Sequence, residues 1–493
     1  MIEPIVSIKP FLAVLVSIAA IPLIIVSRSP NWREGWTFAA ATAKFLLVAS
    51  LAATVLTGST VEYTVADILP GVALRFRVDA MGVLFALVSS FLWIVTSAYS
   101  IGYMRGLSEH SQTRYFCFFA LALSATIGVA FAADLFTLYL CYEILSFATY
   151  PLVTHHQDSA ARSAGRKYLF YIVGASIGLV LPAMLVIYSL SGTLAFSASG
   201  LVPKETAPSV VAILLLCLVL GFTKAGIMPM HAWLPAAMVA PTPVSALLHA
   251  VAVVKVGAFS IVRVITAVFG PGLLSATNLN GMVCLLASVT IIAASLIALS
   301  QDGLKRRLAF STISQLSYIV LGAAMLTPKG LVGGLLHIAM HAFGKITLFF
   351  CAGAIFVATG IKNISQMDGI GKRMPVTMGA FFIGSLGVIG LPPTGGFISK
   401  WYLILGAMEG EKGVLLSVIL ISSLLNAAYF LPIVYRAFFC APEESMGDDK
   451  MREAPRWCMI PLVLTAAISV ALFFFPKPFL ALAKMAVRQI LGG

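Results

Sequence analysis

Charge is scarce in this sequence. Only 10% of its 493 residues are Asp, Glu, Lys or Arg, and 19 of them are acidic. A soluble chain carries charge on about a quarter of its residues, so a water-soluble multidomain protein is excluded. Cysteine chemistry is missing too. The seven cysteines (Cys117, Cys141, Cys217, Cys284, Cys351, Cys440, Cys458) fall mostly in apolar runs, and none stand in CxxC spacing. They read as small core residues, neither disulfides nor metal ligands, and no metal site is expected. No flavin, nicotinamide or iron–sulfur motif is found, so no cofactor is expected and any redox chemistry must belong to partners. Nor is there a cleavable signal: the first apolar run begins near Phe11 and reads as a span that stays. The net charge of +13 is spread over short loops, with no basic patch interleaved with aromatics, which argues against a nucleic-acid partner.

What is present is hydrophobic residue in long runs. The chain is 60% hydrophobic, and apolar stretches near twenty residues recur along its length. That pattern predicts an all-α polytopic membrane protein. Fourteen spans are expected, near 10–27, 37–57, 80–102, 115–132, 134–154, 168–190, 209–229, 243–268, 279–299, 308–326, 331–358, 377–403, 412–438 and 457–476. Residues 59–79 read as an extended, partly polar linker, with Val/Tyr/Thr alternation and a Pro70-Gly71 turn. Residues 191–208 and 439–456 read as polar loops. Seventeen Lys/Arg fall in loops after odd-numbered spans and nine on the other side. The positive-inside rule therefore places the odd loops in the cytoplasm and both termini outside, in a cell membrane. Lys44, Lys224, Lys255, Arg263, Lys345 and Lys400 lie within spans.

The densest chemistry lies in 221–257, GFTKAGIMPMHAWLPAAMVAPTPVSALLHAVAVVKVG. Lys224 stands in an apolar run, Pro229 and Pro235 interrupt the helix, and His231 sits between them. Pro241 and Pro243 mark a turn, and the next run carries His249 and Lys255. A charge at mid-membrane costs about 2.5–3.5 kcal/mol on insertion scales, so it persists where it faces a bundle interior, a partner or a wet path. Broken helices at that depth need protein or water to satisfy the freed backbone, and they recur at ion sites. The competing reading is two kinked helices whose lysines snorkel to an interface. Lys224 is near enough to a break for that, but Lys255 lies twelve residues into its helix.

Three further spans add to this. Glu143 is central in the fifth, and a pair with Lys224 across helices is the economical reading; a protonated core residue is the alternative. Asp134 opens the same span, where a carboxylate favours a helix N-terminus. In the eleventh, His337, His341 and Lys345 follow at i, i+4 and i+8, on one helical stripe. Imidazoles titrate near neutral pH, and a buried lysine can also release its proton, so the stripe suits a relay; a hydrogen-bonded packing seam is the bland alternative. The twelfth span is broken by Pro392-Pro393 and Gly395-Gly396, and Lys400 follows. Two broken spans, five apart and each with one lysine, suggest repeated halves: spans 4–8 and 9–13, inverted because the number of spans per repeat is odd. The expected organisation is residues 1–110 as an N-terminal three-helix part, 111–270 and 271–440 as the two repeats, and 441–493 as a C-terminal loop and span.

The runs KAGIMPMHAWLPAAMVAPTPVSALLHAVAVVKVG, DLFTLYLCYEILSFATYPL, HAFGKITLFF and GLPPTGGFISKW resemble the proton-translocating antiporter-like subunits. These include the D-type subunit of Mrp multisubunit cation/proton antiporters, the large membrane subunits of respiratory complex I, and subunits of membrane-bound hydrogenases. The resemblance covers roughly residues 75–440. It implies fourteen helices, inverted five-helix repeats and a line of buried charge near the midplane. On the matched positions, Glu143 and Lys224 are the ion pair and Lys255 is the relay lysine. His337, His341 and Lys345 continue the axis, Lys400 is the exit residue, and Asp134, His231 and His249 are accessory. Lys400, and the lack of a long C-terminal lateral helix, argue against two of the complex I subunit types. The chain is thus expected to move protons in a multisubunit Na+/H+ antiporter, with other membrane subunits, lipid, protons and Na+ as partners and without catalytic chemistry of its own. The alternative is a proton-pumping subunit of a complex I-type or hydrogenase-type enzyme. A permease or a scaffold that has lost transport fits less well, since every axis position is occupied and no roomy polar substrate site is evident.

Overall fold

The apolar runs fold as helices from end to end of the chain. In the computed structural model, which describes residues 4–441 and 452–492, the helices are α1 Lys9–Val26, α2 Pro30–Leu56, α3 Ala80–Gly106, α4 Gln112–Ala130, α5 Leu135–Val153, α6 Ser159–Ser191, α7 Pro208–Gly221, α8 Val244–Ala276, α9 Asn280–Ser300, α10 Leu304–Ala324, α11 Pro328–Thr359, α12a Pro375–Ile389, α12b Gly395–Glu409, α13 Gly413–Phe439 and α14 Arg456–Phe474, followed by α15 Lys477–Leu491. Eleven of these are long and apolar enough to cross a membrane. The others among α1–α14 are α10, whose first turn is basic, and α7 and α12, each cut by a break. The protein is a multi-pass, all-α membrane protein, and the fourteen expected spans correspond to α1–α14. Lys450 and most of the 439–456 loop lie outside the described residues.

Short polar residues start several helices. Asp79, Asp134 and Asp158 accept from the backbone N–H three residues on, in α3, α5 and α6, at 2.7, 2.6 and 2.6 Å. Each satisfies an amide that the helix leaves free, which matters where water is scarce. Helix interiors depart from α geometry at π-helical turns, Ser176–Val180 in α6 and Val244–Ala252 and Val264–Phe269 in α8. Such turns often mark functional segments.

Two features differ from the expectation. The linker at 59–79 is a hairpin, β2 Val61–Leu69 antiparallel to β3 Val72–Val78, with β1 Ile5–Val6 added parallel to β2. The period-two alternation gave its extended character, but the pairing with the N-terminal strand is tertiary. The second is α15, whose Leu482, Ala483, Ala486 and Val487 are buried where it packs on α3 and α11. Its scattered Lys477, Lys484 and Arg488 had read as loop.

Loop contacts confirm the alternation of crossings. On one face the hairpin bridges to Ala132, Asp134 bridges to Ala195, Ser7 donates to Glu62, and Lys412 donates to Met325. On the other, Arg105 pairs with Glu34, Gly303 bridges to Asn363, and Arg436 pairs with Asp368. Even-numbered loops meet even ones together with the N-terminal strand, and odd-numbered loops meet odd ones. Neighbour relations also recur. α4 packs on α5 and on α8, as α9 packs on α10 and on α13; α5 and α6 are neighbours, as are α10 and α11.

Candidate functional site

The two breaks hold the site. After α7 the chain runs through 222–239 in short turns, stitched by Trp233 Nε1 donating to the Thr223 carbonyl at 3.0 Å. α8 can press against this segment because residue 257 is glycine: a Cβ there would lie 2.0 Å from the Ala225 nitrogen. Lys224, within the break, is fully buried. Its Nζ donates to the Tyr142 carbonyl at 3.0 Å and to Ser146 Oγ at 2.5 Å, and lies 3.1 Å from the Tyr142 ring centroid. The expected contact with Glu143 is not made: no nitrogen–oxygen pair of these two residues comes within 4.0 Å, and both Glu143 oxygens are buried without a hydrogen bond. Glu143 nonetheless stands on the same turn of α5, between Tyr142 and Ser146, whose carbonyl and hydroxyl hold Lys224 instead.

Lys255, two residues before the close-packed glycine, is also fully buried. It donates to the Ala250 carbonyl at 3.1 Å, where the π-helical turn of α8 gives way to α-helix. Irregular hydrogen bonding there leaves a carbonyl able to take the ammonium. His337, His341 and Lys345 lie on one face of α11, each no more than 1% exposed, with the two imidazoles stacked at 5.4 Å. The π-helical start of α8, Val244–Ala252, packs directly against α11 and so brings α8 alongside this stripe. His337 lies 2.8 Å from Ser399 Oγ through Nδ1 and 3.1 Å from Gln315 Oε1 through Nε2. Ser399 Oγ also lies 3.0 Å from the Gly396 carbonyl. Its hydroxyl can therefore point at that carbonyl or at the imidazole, so His337 can gain or lose a proton without a backbone change. His341 and Lys345 have no hydrogen-bond partner among the described residues, and Lys345 Nζ sits 5.5 Å over Phe430.

The second break, 390–394, carries Lys400. Its Nζ donates to the Ile389 carbonyl, the last of α12a, at 2.9 Å and to Ser423 Oγ at 3.1 Å. Gly390 has a positive φ of +87°, and a Cβ there would lie 2.5 Å from Lys400 Cδ, so a side chain at that position would displace the lysine stem.

The accessory residues separate. Asp134 caps α5, bonds Thr137 through backbone and side chain, and lines an open groove of about 450 Å³ at the hairpin, away from the row. His231 is half-buried, with Nδ1 3.2 Å from the Pro229 carbonyl. His249 is fully buried with both nitrogens unpartnered, beside the Trp233 ring. Lys305 lines a cavity of about 330 Å³ on the odd-loop face, with Tyr103, His156, Thr242 and Lys362. Ser146, Gln315, Ser399 and Ser423 went unread in the sequence. Their signal was an uncharged polar residue in mid-span, which dozens of serines and threonines share. Lys44 is a further buried lysine, donating to the Leu123 carbonyl at 3.2 Å, off the row.

This fold and this row define a class: a multi-pass helical membrane protein whose interior holds ionisable side chains at two helix breaks. The chain belongs to the NADH:quinone oxidoreductase/Mrp antiporter transmembrane family, which matches residues 132–426. It is 34% identical over 439 residues to NADH-quinone oxidoreductase subunit N of Desulforudis audaxviator, covering 87% of this chain and 86% of that one. It is 30% identical over 453 residues to the A-type subunit of the Na(+)/H(+) antiporter of Alkalihalophilus pseudofirmus, covering 85% of this chain but only 55% of that relative's length. In fold it resembles a chain of the membrane-bound sulfane sulfur reductase, an archaeal respiratory membrane complex, with a TM-score of 0.87, 23% identity, and coverage of 98% of this chain and 97% of that one.

Proposed function

We propose that this chain is a proton-translocating membrane subunit of a multisubunit monovalent cation (Na+)/H+ antiporter. Protons move along a row formed by Glu143, Lys224, Lys255, His341, His337, Lys345 and Lys400. One observation carries this reading: four lysines and two histidines are buried to 3% exposure or less, and Glu143 is the one carboxylate on the row. Unit charges 4 Å apart interact by about 4 kcal/mol at an effective dielectric of 20. Such a row does not hold every group charged at once, so protonation at one position depends on its neighbours.

The open Glu143–Lys224 pair is one of two states. A change of Lys224 rotamer exchanges its carbonyl and hydroxyl partners for the Glu143 carboxylate and holds the ammonium. Opening the pair frees the proton for Lys255, the Lys255 charge then acts on the α11 stripe, and Lys400 is the last station. The 330 Å³ cavity lined by Lys305 and Thr242 is the entry from the odd-loop face. In this reading α4–α8 and α9–α13, within 111–270 and 271–440, are inverted repeats that each contribute one break and its lysine. The seventeen-to-nine bias of basic residues puts the odd loops in the cytoplasm and the termini outside, in the cell membrane.

The partners are other membrane subunits. A second reading, a proton-pumping subunit of a complex I-type or hydrogenase-type enzyme, is favoured by the relative of nearly matching extent, an NADH-quinone oxidoreductase subunit. Co-purification of the native assembly separates the two readings: redox subunits with the chain support the second, cation-antiporter subunits the first. The translocation claim is tested by Lys255→Ala in inverted membrane vesicles with a pH-sensitive dye. Transport is lost while the assembly is retained; normal transport in that variant overturns the mechanism.

A further inference from the structure

Two short loops on the odd-loop face bring four candidate ligands together. Glu109 and His110 lie between α3 and α4, and His155 and His156 follow α5. Oε2 of Glu109 lies 3.8 Å from His110 Nδ1, 3.9 Å from His155 Nε2 and 3.7 Å from His156 Nδ1. The ligand atoms of Glu109, His110 and His156 all fall within 4.8 Å of one another. Tetrahedral zinc with bonds of about 2.0–2.1 Å sets its N and O ligands roughly 3.3–3.4 Å apart, so the spacings to the carboxylate contract by roughly half an ångström on binding and the wider ones, His155 to the other two imidazoles included, close further by side-chain rotation. The two loops are already braced. Ser108 and Ser111 take left-handed conformations on either side of Glu109-His110, Gln112 donates to the Glu109 carbonyl at 3.0 Å, and Arg114 donates to the His155 carbonyl at 2.9 Å.

A second observation points to a ligand. The His155 side chain is fully buried, yet its ring nitrogens have only weak partners, the Glu109 carboxylate at 3.9 Å and the His110 backbone, and neither makes a hydrogen bond of normal geometry. A buried imidazole so weakly partnered is costly unless something occupies the site it faces. His110 and His156 are more open, with side chains 50% and 34% exposed, so an ion from the aqueous side can reach the cluster. Imidazole with carboxylate suits zinc and its neighbours Co(II) and Ni(II), and not magnesium or calcium, which take oxygen ligands.

We infer that Glu109, His110, His155 and His156 form a binding site for one zinc-class divalent cation, whose occupancy slows transport by fixing the mouth of the 330 Å³ cavity. The second half of this rests on the proposed translocation function. His156 is shared: it belongs to the cluster and also lines the cavity with Lys305 and Lys362. A metal that takes His156 Nδ1 pins that wall and ties the α3–α4 loop to the α5–α6 loop.

The test uses the purified assembly and Co(II) as the probe, read by its ligand-field absorption, with zinc competition and metal analysis. One tightly held metal per chain is expected, with a tetrahedral cobalt spectrum that zinc abolishes. The double variant H110A/H156A, both partly exposed positions, keeps the assembly intact and loses the spectrum and the bound metal; E109Q weakens both. Absence of the spectrum in the wild type, or its persistence in the double variant, overturns the site. Proton transport in vesicles is then measured with and without micromolar zinc. Inhibition in the wild type that is lost or weakened in H110A, which leaves the cavity lining unchanged, supports the effect on the cavity. Wild-type transport unchanged with metal bound overturns that effect and leaves the binding result standing. Lack of transport in the metal-free wild type instead counts against the proposed function.

Discussion

Lys400 Nζ reaches back across the second helix break and donates to the Ile389 carbonyl at 2.9 Å. The break frees that carbonyl and the lysine takes it, so the residue that stands out as a charge also completes the backbone of α12a. Removing the amine leaves a buried acceptor unpaired, at about 1–3 kcal/mol. Lys400→Met should therefore lower thermal stability measurably as well as cut proton transport by about a hundredfold or more, the lower end of what a proton-transferring group contributes. Lys400→Arg should restore stability and not transport, since a guanidinium donates to Ile389 but does not release its proton. Melting temperature and dye-reported transport in the same preparation separate the two roles.

Lys224 gives a prediction of a different kind. It is held by the Tyr142 carbonyl and Ser146 Oγ rather than by Glu143. Glu143→Gln should thus leave the assembly and its stability close to wild type, because the structure shows no contact to lose. Transport should still fall by about a hundredfold or more, since the proposed closed state of the pair can no longer form. Ser146→Ala, in contrast, removes a partner of the open state and should alter transport rate with Glu143 intact. Retained full transport in Glu143→Gln would argue that the carboxylate is a bystander.

How much was legible beforehand differs by residue type. Glu143, Lys224, Lys255, His337, His341, Lys345 and Lys400 are visible in the sequence because a titratable group inside an apolar run has few bland explanations. The breaks are visible because proline and glycine cannot continue a helix. Ser146, Gln315 and Ser399 are not visible. A serine in a span commonly bonds its own helix, as Ser90 does with Ala86 and Thr96 with Leu92, and only tertiary packing shows which hydroxyl faces a lysine or an imidazole. The expected Glu143–Lys224 contact is not made in this structure, because the lysine finds a backbone carbonyl and a serine hydroxyl on the same turn of α5, partners that sequence reading does not single out. α15 was missed because its charges resemble those of a loop until its apolar stripe has α3 and α11 to cover. Glu109-His110 and His155-His156 are two unremarkable dipeptides until the fold brings their loops together.

Gly257 ties packing to the row. A methyl group there would sit 2.0 Å from the Ala225 nitrogen and 2.3 Å from the Lys224 carbonyl carbon, both backbone atoms that cannot rotate away. Gly257→Ala must push α8 off the 222–239 segment, with a cost of about 1–3 kcal/mol or more from overpacking. Because the atoms displaced belong to Lys224 and its neighbour, transport should fall with stability even though no titratable group changes. A variant with wild-type melting temperature and wild-type transport would contradict the close approach. Gly272→Ala in the same helix, with nothing within 4 Å of the added carbon, is the control and should be near neutral.

The pH dependence of the odd-loop face follows from Asp368. Its carboxylate accepts from Arg436 Nε at 2.6 Å and Nη2 at 2.9 Å, and this hydrogen bonding holds its pKa below the ordinary carboxylate value of 3.8. The same guanidinium also donates to the Ser365 carbonyl, and Ser365 bonds Asp302, so the 361–369 loop is clamped to the starts and ends of three helices. A depressed folded-state value means that the stabilisation is fully present above the unfolded pKa and disappears as pH falls through the folded one. The side chains are partly exposed, so the pair is worth about 1 kcal/mol or less. Asp368→Asn should therefore lower stability slightly at pH 7, and the difference from wild type should shrink to nothing as the pH is taken well below 3.8, where the native carboxyl is protonated as well. Parallel thermal melts across that range check the sign: a gap that stays constant or widens on acidification would show that Asp368 acts through packing and not through its charge.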